Sequence, residues 1–137
     1  MAVSQALRRL LRVLELEEEQ KRIALKSAQS DLARLERAME ASEERKRSGR
    51  ELVAASAYTG ELTERLAGIE EVRAGERSAK LLQPRVADQQ TLVTAQEEAY
   101  LDKRVERRQA EALISKRRRK RQLRQPGVAS SSWTTGI

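Results

Sequence analysis

The side chains of this 137-residue chain with chemical potential are charged, and two groups stand out. Lys116-Arg117-Arg118-Arg119-Lys120-Arg121 is an unbroken run of six cations. Such a run neutralises nucleic-acid phosphates, acidic lipid heads or an acidic protein groove. Glu17-Glu18-Glu19 is the densest acidic stretch. On a helix, successive residues point roughly 100° apart, so these carboxylates diverge and form a solvated face, not a metal site. The chain has no His and no Cys. The usual general-base and nucleophile pairings are therefore missing, as are thiolate metal sites and disulfides. No GxxxxGK[ST] loop is present and no GxGxxG follows a strand. The expectation is a protein that is not an enzyme and has no cofactor, no metal and no small-molecule substrate. No aromatic residue interleaves the cationic run, so it offers no base stacking. A solvated helix end is its plainest reading, a protein partner comes next, and nucleic acid ranks third.

The composition says what must position these groups. The chain is 36% charged and 2% aromatic, with no Phe and two Pro. Ala, Leu, Glu, Arg, Lys and Gln dominate, the mix of long helices and coiled coils. So little aromatic volume cannot fill a thick interior, and a thin molecule with a line of Leu, Ala and Val as its core is expected. Net charge is +7, but it is concentrated. Residues 103–124 hold 11 basic and 2 acidic side chains; the remainder holds 17 and 19. One end is therefore strongly basic and the rest nearly neutral. Arg8, Arg9 and Arg12 interrupt the first apolar run, so no signal peptide is expected there. No window is apolar enough for a membrane span, and cytoplasm is the default.

Leu7, Leu11, Leu14, Glu18, Lys21, Leu25, Ala28, Leu32, Leu35 and Met39 recur every three or four residues. That is a heptad seam, too narrow for a globular core and in need of a facing helix. Ser4 is the candidate cap of this helix. Glu17–Lys21 and Glu18–Arg22 have the spacing of stabilising i,i+4 pairs. Glu18 and Lys21 lie on the seam itself, where polar residues loosen it and can set register.

Gly49 is the first breaker, but Tyr58-Thr59-Gly60 lies near the midpoint of the helical region. Gly60 suits a left-handed helix stop. A hairpin turn is expected near 58–60, with Gly49 or the Gly68–Gly75 segment as alternative turns. Leu62, Leu66, Ile69 and Val72 give a short stripe beyond it. Pro84 predicts a kink or a helix start. The returning seam then reads Leu82, Val86, Gln89, Val93, Gln96, Tyr100, Lys103, Arg107, Ala110 and Ile114. Leu92, Ala99, Leu101 and Leu113 flank it and would widen it. This helix should fray into 116–121, stop at Gln125-Pro126-Gly127 and give way to a Ser/Thr-rich disordered tail, with Trp133 a bystander. The expected fold is all-α: a long antiparallel two-helix coiled-coil hairpin over 1–124 and a disordered C-terminal tail over 125–137. Each arm would be roughly 80–90 Å long at 1.5 Å per residue.

Several segments resemble the FliJ family of flagellar type III export proteins, whose injectisome counterparts include YscO. They are Leu7-x2-Leu10-Leu11-x2-Leu14 followed by Glu17-Glu18-Glu19, and Leu32-x2-Leu35-x3-Met39. Tyr58-x3-Leu62-x3-Leu66-x2-Ile69-Glu70 and Tyr100-Leu101-x-Lys103-Arg104-x2-Glu106-Arg107 continue the likeness, which covers about residues 1–121. The chain departs from the family in Pro84, and in Leu62 and Tyr100 where Phe or Trp is frequent. The resemblance implies an antiparallel coiled coil like the stalk of rotary ATPases. It implies a non-enzymatic coupling role in flagellar protein export and motility. The implied partners are the hexameric export ATPase, the cytoplasmic domain of the export gate, and export chaperones that the protein escorts. The implied location is cytoplasmic, peripheral at the inner face of the cell membrane. Leu35, Met39, Leu62, Leu66 and Ile69 are the implied gate contacts, with plain seam packing as the alternative for them. Arg8, Arg9, Arg12, Lys116, Arg117, Arg118, Arg119, Lys120 and Arg121 are the implied ATPase contacts. Two rival readings remain: a nucleic-acid-binding coiled coil acting through 116–121, and a scaffold that dimerises through its first seam.

Overall fold

The structure is a computed structural model and describes residues 4–124. The expected tail over 125–137, its Gln125-Pro126-Gly127 stop and Trp133 lie outside the described residues. Two helices are present, α1 (Gln5–Thr59) and α2 (Leu62–Arg124), of 55 and 63 residues. They pack against each other as an antiparallel helical hairpin, with no strand among the described residues. Ser4 caps α1: the Leu7 N–H donates to its Oγ at 3.2 Å and its carbonyl at 3.0 Å. Gly60 stops α1 with φ of 71°, its N–H donating to the Ser56 carbonyl at 2.8 Å. That is a left-handed cap, and glycine adopts it without a Cβ clash. The Thr59 hydroxyl then accepts from the Glu61 N–H at 3.4 Å and donates to Glu64 in the first turn of α2 at 3.3 Å.

Contacts divide the chain into two compact units, one of Met1–Ile23 with Glu97–Ile137 and one of Ala24–Gln96. In the second, the α1 seam runs through Leu25, Ala28, Leu32, Leu35 and Met39 and continues at the same spacing through Ser42, Lys46, Gly49, Val53 and Ser56. Each is buried or half-buried. The α2 side presents Gly68, Val72, Gly75, Ala79, Leu82, Val86, Gln89, Val93 and Gln96. The antiparallel order shows in three cross-helix bonds. Gln89 Nε2 donates to the Ala28 carbonyl at 2.9 Å, Ser42 and Ser78 hydroxyls meet at 2.8 Å, and Arg45 Nε donates to Glu71 at 2.9 Å. The hydrogen bond from Arg45 holds the Glu71 carboxyl below its ordinary pKa. Gln96 lies two heptads beyond Leu82 on the same seam, and its Oε1 is buried with no hydrogen-bond partner. Its layer is therefore the least satisfied of this unit.

Two sequence readings fail in this unit: the alternative turn sites and part of the expected seam. Gly49, Gly68 and Gly75 are not turns: all lie inside helices and are buried. A Cβ built on Gly49 would stand 2.6 Å from the Gly68 carbonyl oxygen, and one on Gly68 would stand 2.7 Å from that of Gly49. One on Gly75 would meet the Ser42 carbonyl oxygen at 2.8 Å. The glycines let two backbones touch, and that packing offsets a helix-propensity cost of about 1 kcal/mol each. Second, Leu62 and Leu66 do not line the seam; they are 68% and 58% exposed, because the heptads pass through Gly68 and Val72 instead. Leu92, expected to widen the seam, is also exposed. Of the two outcomes expected at Pro84, the helix start is excluded, since α2 passes through it. Pro84 is exposed while Leu82 and Val86 on either side face the seam, so tertiary packing holds the local conformation.

In the unit of Met1–Ile23 with Glu97–Ile137, the apolar seam members are Leu7, Leu11 and Leu14 of α1 and Tyr100, Ala110 and Ile114 of α2, all buried or half-buried. Between these layers the seam is ionic. The Arg107 guanidinium donates to Glu18 and, at 2.8 Å, to Glu111. Lys103 pairs with Glu17 at 2.7 Å and Glu106 at 3.2 Å. The expected Glu17–Lys21 and Glu18–Arg22 pairs do not form. Glu18 stands on the seam and Glu17 beside it, so they reach across to α2, and Arg22 pairs with Glu19. Hydrogen bonds to Glu18 and then Glu111 raise the Arg107 pKa above its ordinary value. Leu101 and Leu113 are exposed and do not widen this seam; Ala99 is half-buried.

This ionic layer gives a testable outcome. Glu18→Arg sets a cation against Arg107, and Arg107→Glu sets a carboxylate against Glu18. Each single reversal is expected to lower the melting temperature by several degrees, and the double reversal to recover most of the loss. Equal, additive losses in circular-dichroism melts would show that the pair does not set the register.

Candidate functional site

The most distinctive surface is the cationic end of the unit of Met1–Ile23 with Glu97–Ile137. Residues 4–14 of α1 and its cap, together with 112–123 of α2, hold nine cations and no carboxylate. They are Arg8, Arg9, Arg12 and the run Lys116, Arg117, Arg118, Arg119, Lys120, Arg121. All nine are exposed, and none forms an ion pair with a described residue. Elsewhere many basic side chains are matched, as Arg45 is with Glu71 and Arg107 with Glu18.

The hairpin brings the two cationic segments together, since seam residues Leu7 and Leu11 lie among the first and Ile114 just before the second. The expected fraying over 116–121 is not seen: α2 remains helical to Arg124. Lys and Arg are good helix formers, and cations near a helix C-terminus are stabilised by its dipole. The regular helix spreads the six charges around its circumference. Arg118 lines a shallow cleft of about 470 Å³ with Arg8 and Arg12, over Leu11 and Ile114, and with Glu15 and Glu111 also bordering it. A guanidinium presents its donors in a rigid fork, so three around one cleft suit carboxylate or phosphate groups. The Ser115 hydroxyl adds a further donor to the lining.

The carboxylates of the acidic stretch engage three different cations: Glu17 meets Lys103, Glu18 meets Arg107, and Glu19 meets Arg22. Their job in this geometry is to tie the helices and the local surface.

The residues implied as gate contacts lie in the unit of Ala24–Gln96, and the structure splits them. Leu35, Met39 and Ile69 are half-buried. Leu62 and Leu66 are exposed beside the turn, as are Tyr58 and Leu52. Tyr58, 94% exposed, and Leu52 are accessible apolar groups that hydropathy alone does not single out. The signal is present in the spacing: carrying the heptads past Met39 through Ser42, Gly49 and Ser56 leaves Leu52 and Tyr58 off the seam.

No protein-family model, no curated protein and no solved structure matches the chain.

Proposed function

We propose that this hairpin is a non-enzymatic coupling component of a type III protein export apparatus, acting as a stalk on the export ATPase. One observation carries the reading: nine exposed cations, drawn from both helices and without an ion pair among the described residues, gather at one end with no carboxylate among residues 4–14 and 112–123. Such a surface fits an acidic partner, and exposed charge contacts are weak and exchangeable, as a coupling factor that meets successive subunits of a ring requires. The resemblance to the FliJ family points to the ATPase hexamer as that partner. In the unit of Ala24–Gln96, the exposed Tyr58, Leu62 and Leu66 are the matching candidates for the export gate's cytoplasmic domain, and export chaperones are the further partners. The protein would act in the cytoplasm at the inner face of the membrane. No helix among the described residues is long and apolar enough to cross a membrane.

The test is a hydrolysis assay. Adding the chain to a cognate export ATPase is expected to stimulate turnover. Arg8→Ala/Arg12→Ala/Arg118→Ala should keep its helix content yet need on the order of tenfold more protein for the same stimulation. A deletion strain that swims normally, or a triple variant that stimulates as well as the parent, would overturn the reading. Nucleic acid is the competing polyanion. Tight, steeply salt-dependent binding of the chain to duplex DNA, with no effect on the ATPase, would favour it.

A further inference from the structure

The cationic end has two edges of different chemistry. Along a hairpin, residues just before a seam position on α1 face those just before one on α2, as Arg45 and Glu71 do beside Lys46 and Val72. By the same count Leu10, before Leu11, and Leu113, before Ile114, share an edge. Arg8 and Glu111 follow seam positions and share the opposite one, where the arginine cleft lies. On the first edge Leu113, Lys116, Lys120 and Leu123 recur at helical spacing along one face of α2. Leu10 is 48%, Leu113 50% and Leu123 75% exposed, and Val13 beside them is exposed too.

We infer that this leucine–lysine edge is a peripheral docking surface for a bilayer carrying anionic phospholipid. Exposed leucines insert at the boundary of head groups and acyl chains, while lysines keep their ammonium groups at the phosphates and lay their stems along the apolar layer. The lack of any carboxylate over residues 4–14 and 112–123 removes the repulsion an anionic surface would otherwise meet. A partner helix fits less well: the apolar stretch of this edge is short and stops at Glu17 on α1 and Glu106 on α2. Nucleic acid would use the cations but leave the leucines in water. Lys116 and Lys120 also belong to the cationic surface on which the ATPase reading rests, whereas Leu10, Leu113 and Leu123 do not, so the leucine variant separates the two readings.

Sedimentation of the full chain with vesicles tests it, using phosphatidylcholine alone or mixed with phosphatidylglycerol. Binding is expected only to the mixed vesicles. Lys116→Gln/Lys120→Gln should lower partitioning on the order of 30-fold, at about fivefold per basic residue near an anionic surface. Leu10→Gln/Leu113→Gln/Leu123→Gln, which removes the apolar contact without changing the charge, should abolish it, with circular dichroism showing the helices intact and ATPase stimulation unchanged. The inference is overturned if the chain binds neither vesicle, binds both alike, or binds the mixed vesicles equally well with the three leucines replaced. Vesicle binding lost only with the Arg8/Arg12/Arg118 variant would also overturn it, by moving the contact to the other edge.

Discussion

Gly49→Leu is expected to melt far below the parent chain, with a loss of about 3 kcal/mol or more. Two opposed effects set that loss. Leaving glycine for a good helix former returns about 1 kcal/mol of helix propensity. Against this, even the first added carbon would lie 2.6 Å from the Gly68 carbonyl oxygen and 2.8 Å from the Val72 amide nitrogen. Both obstacles are backbone, which cannot rotate aside as a side-chain tip does. The helices must separate locally, breaking contacts at Val53 and Val72 and straining the neighbouring Ser42–Gly75 approach. Overpacking alone costs about 1–3 kcal/mol for extra methylenes, and a full leucine side chain exceeds that range. A urea titration followed by circular dichroism reads the difference. Gly60→Ala supplies the contrast: nothing lies within 4 Å of its Cβ position, and only its φ of 71° opposes substitution, so about 1 kcal/mol is expected. A Gly49→Leu chain as stable as the parent would mean that the two backbones do not touch.

Pro84→Ala should move stability the other way, by about 2–3 kcal/mol in favour of the folded chain. Proline in a helix interior is about 3 kcal/mol less favourable than alanine, because it lacks an N–H and its ring crowds the carbonyl four residues back. Pro84 lies well inside α2, 22 residues from Leu62, and its side chain is exposed, so no seam packing is lost on replacement. The restored N–H can donate to the Lys80 carbonyl. The check is a rise in melting temperature together with slower amide exchange around residue 84. An unchanged melting temperature would show that α2 bends around the proline without penalty.

Those two positions also show what the sequence discloses and what it hides. The leucine-rich part of α1 from Leu7 to Met39 is legible because large apolar residues at a 3,4 spacing seldom occur except on the covered face of a helix. The returning stripe from Leu82 to Ile114 is legible for the same reason, although charged residues dilute it. Between them the seam changes material. Ser42, Gly49 and Ser56 on α1 and Gly68 and Gly75 on α2 keep the seven-residue period, but hydropathy registers turns and breakers there. It therefore reaches for Leu62 and Leu66, which the structure leaves in solvent. Periodicity of smallness is the cue that hydropathy misses. At Pro84 the local rule offers a kink or a helix start, and the packing of Leu82 and Val86 on either side removes the second. The cationic end is legible as composition. That Arg8 and Arg12 share a cleft with Arg118 depends on the fold, because 106 residues separate Arg12 from Arg118 in the chain. The distinction between the arginine edge and the leucine–lysine edge needs the register of both helices.

No large side chain in the described residues is fully shielded from water; the most covered seam side chains are small, Ala110 and Ser42 at 4% exposure and Ala28 and Ser56 at 5%. A protein with almost no interior has little apolar surface to hydrate when it melts. Its heat-capacity change on unfolding should therefore fall below the roughly 12–15 cal/mol/K per residue of globular domains, which flattens the dependence of stability on temperature. Its folded state would weaken gradually on warming and resist loss in the cold, and it would tolerate a wide span of growth temperatures with the same sequence.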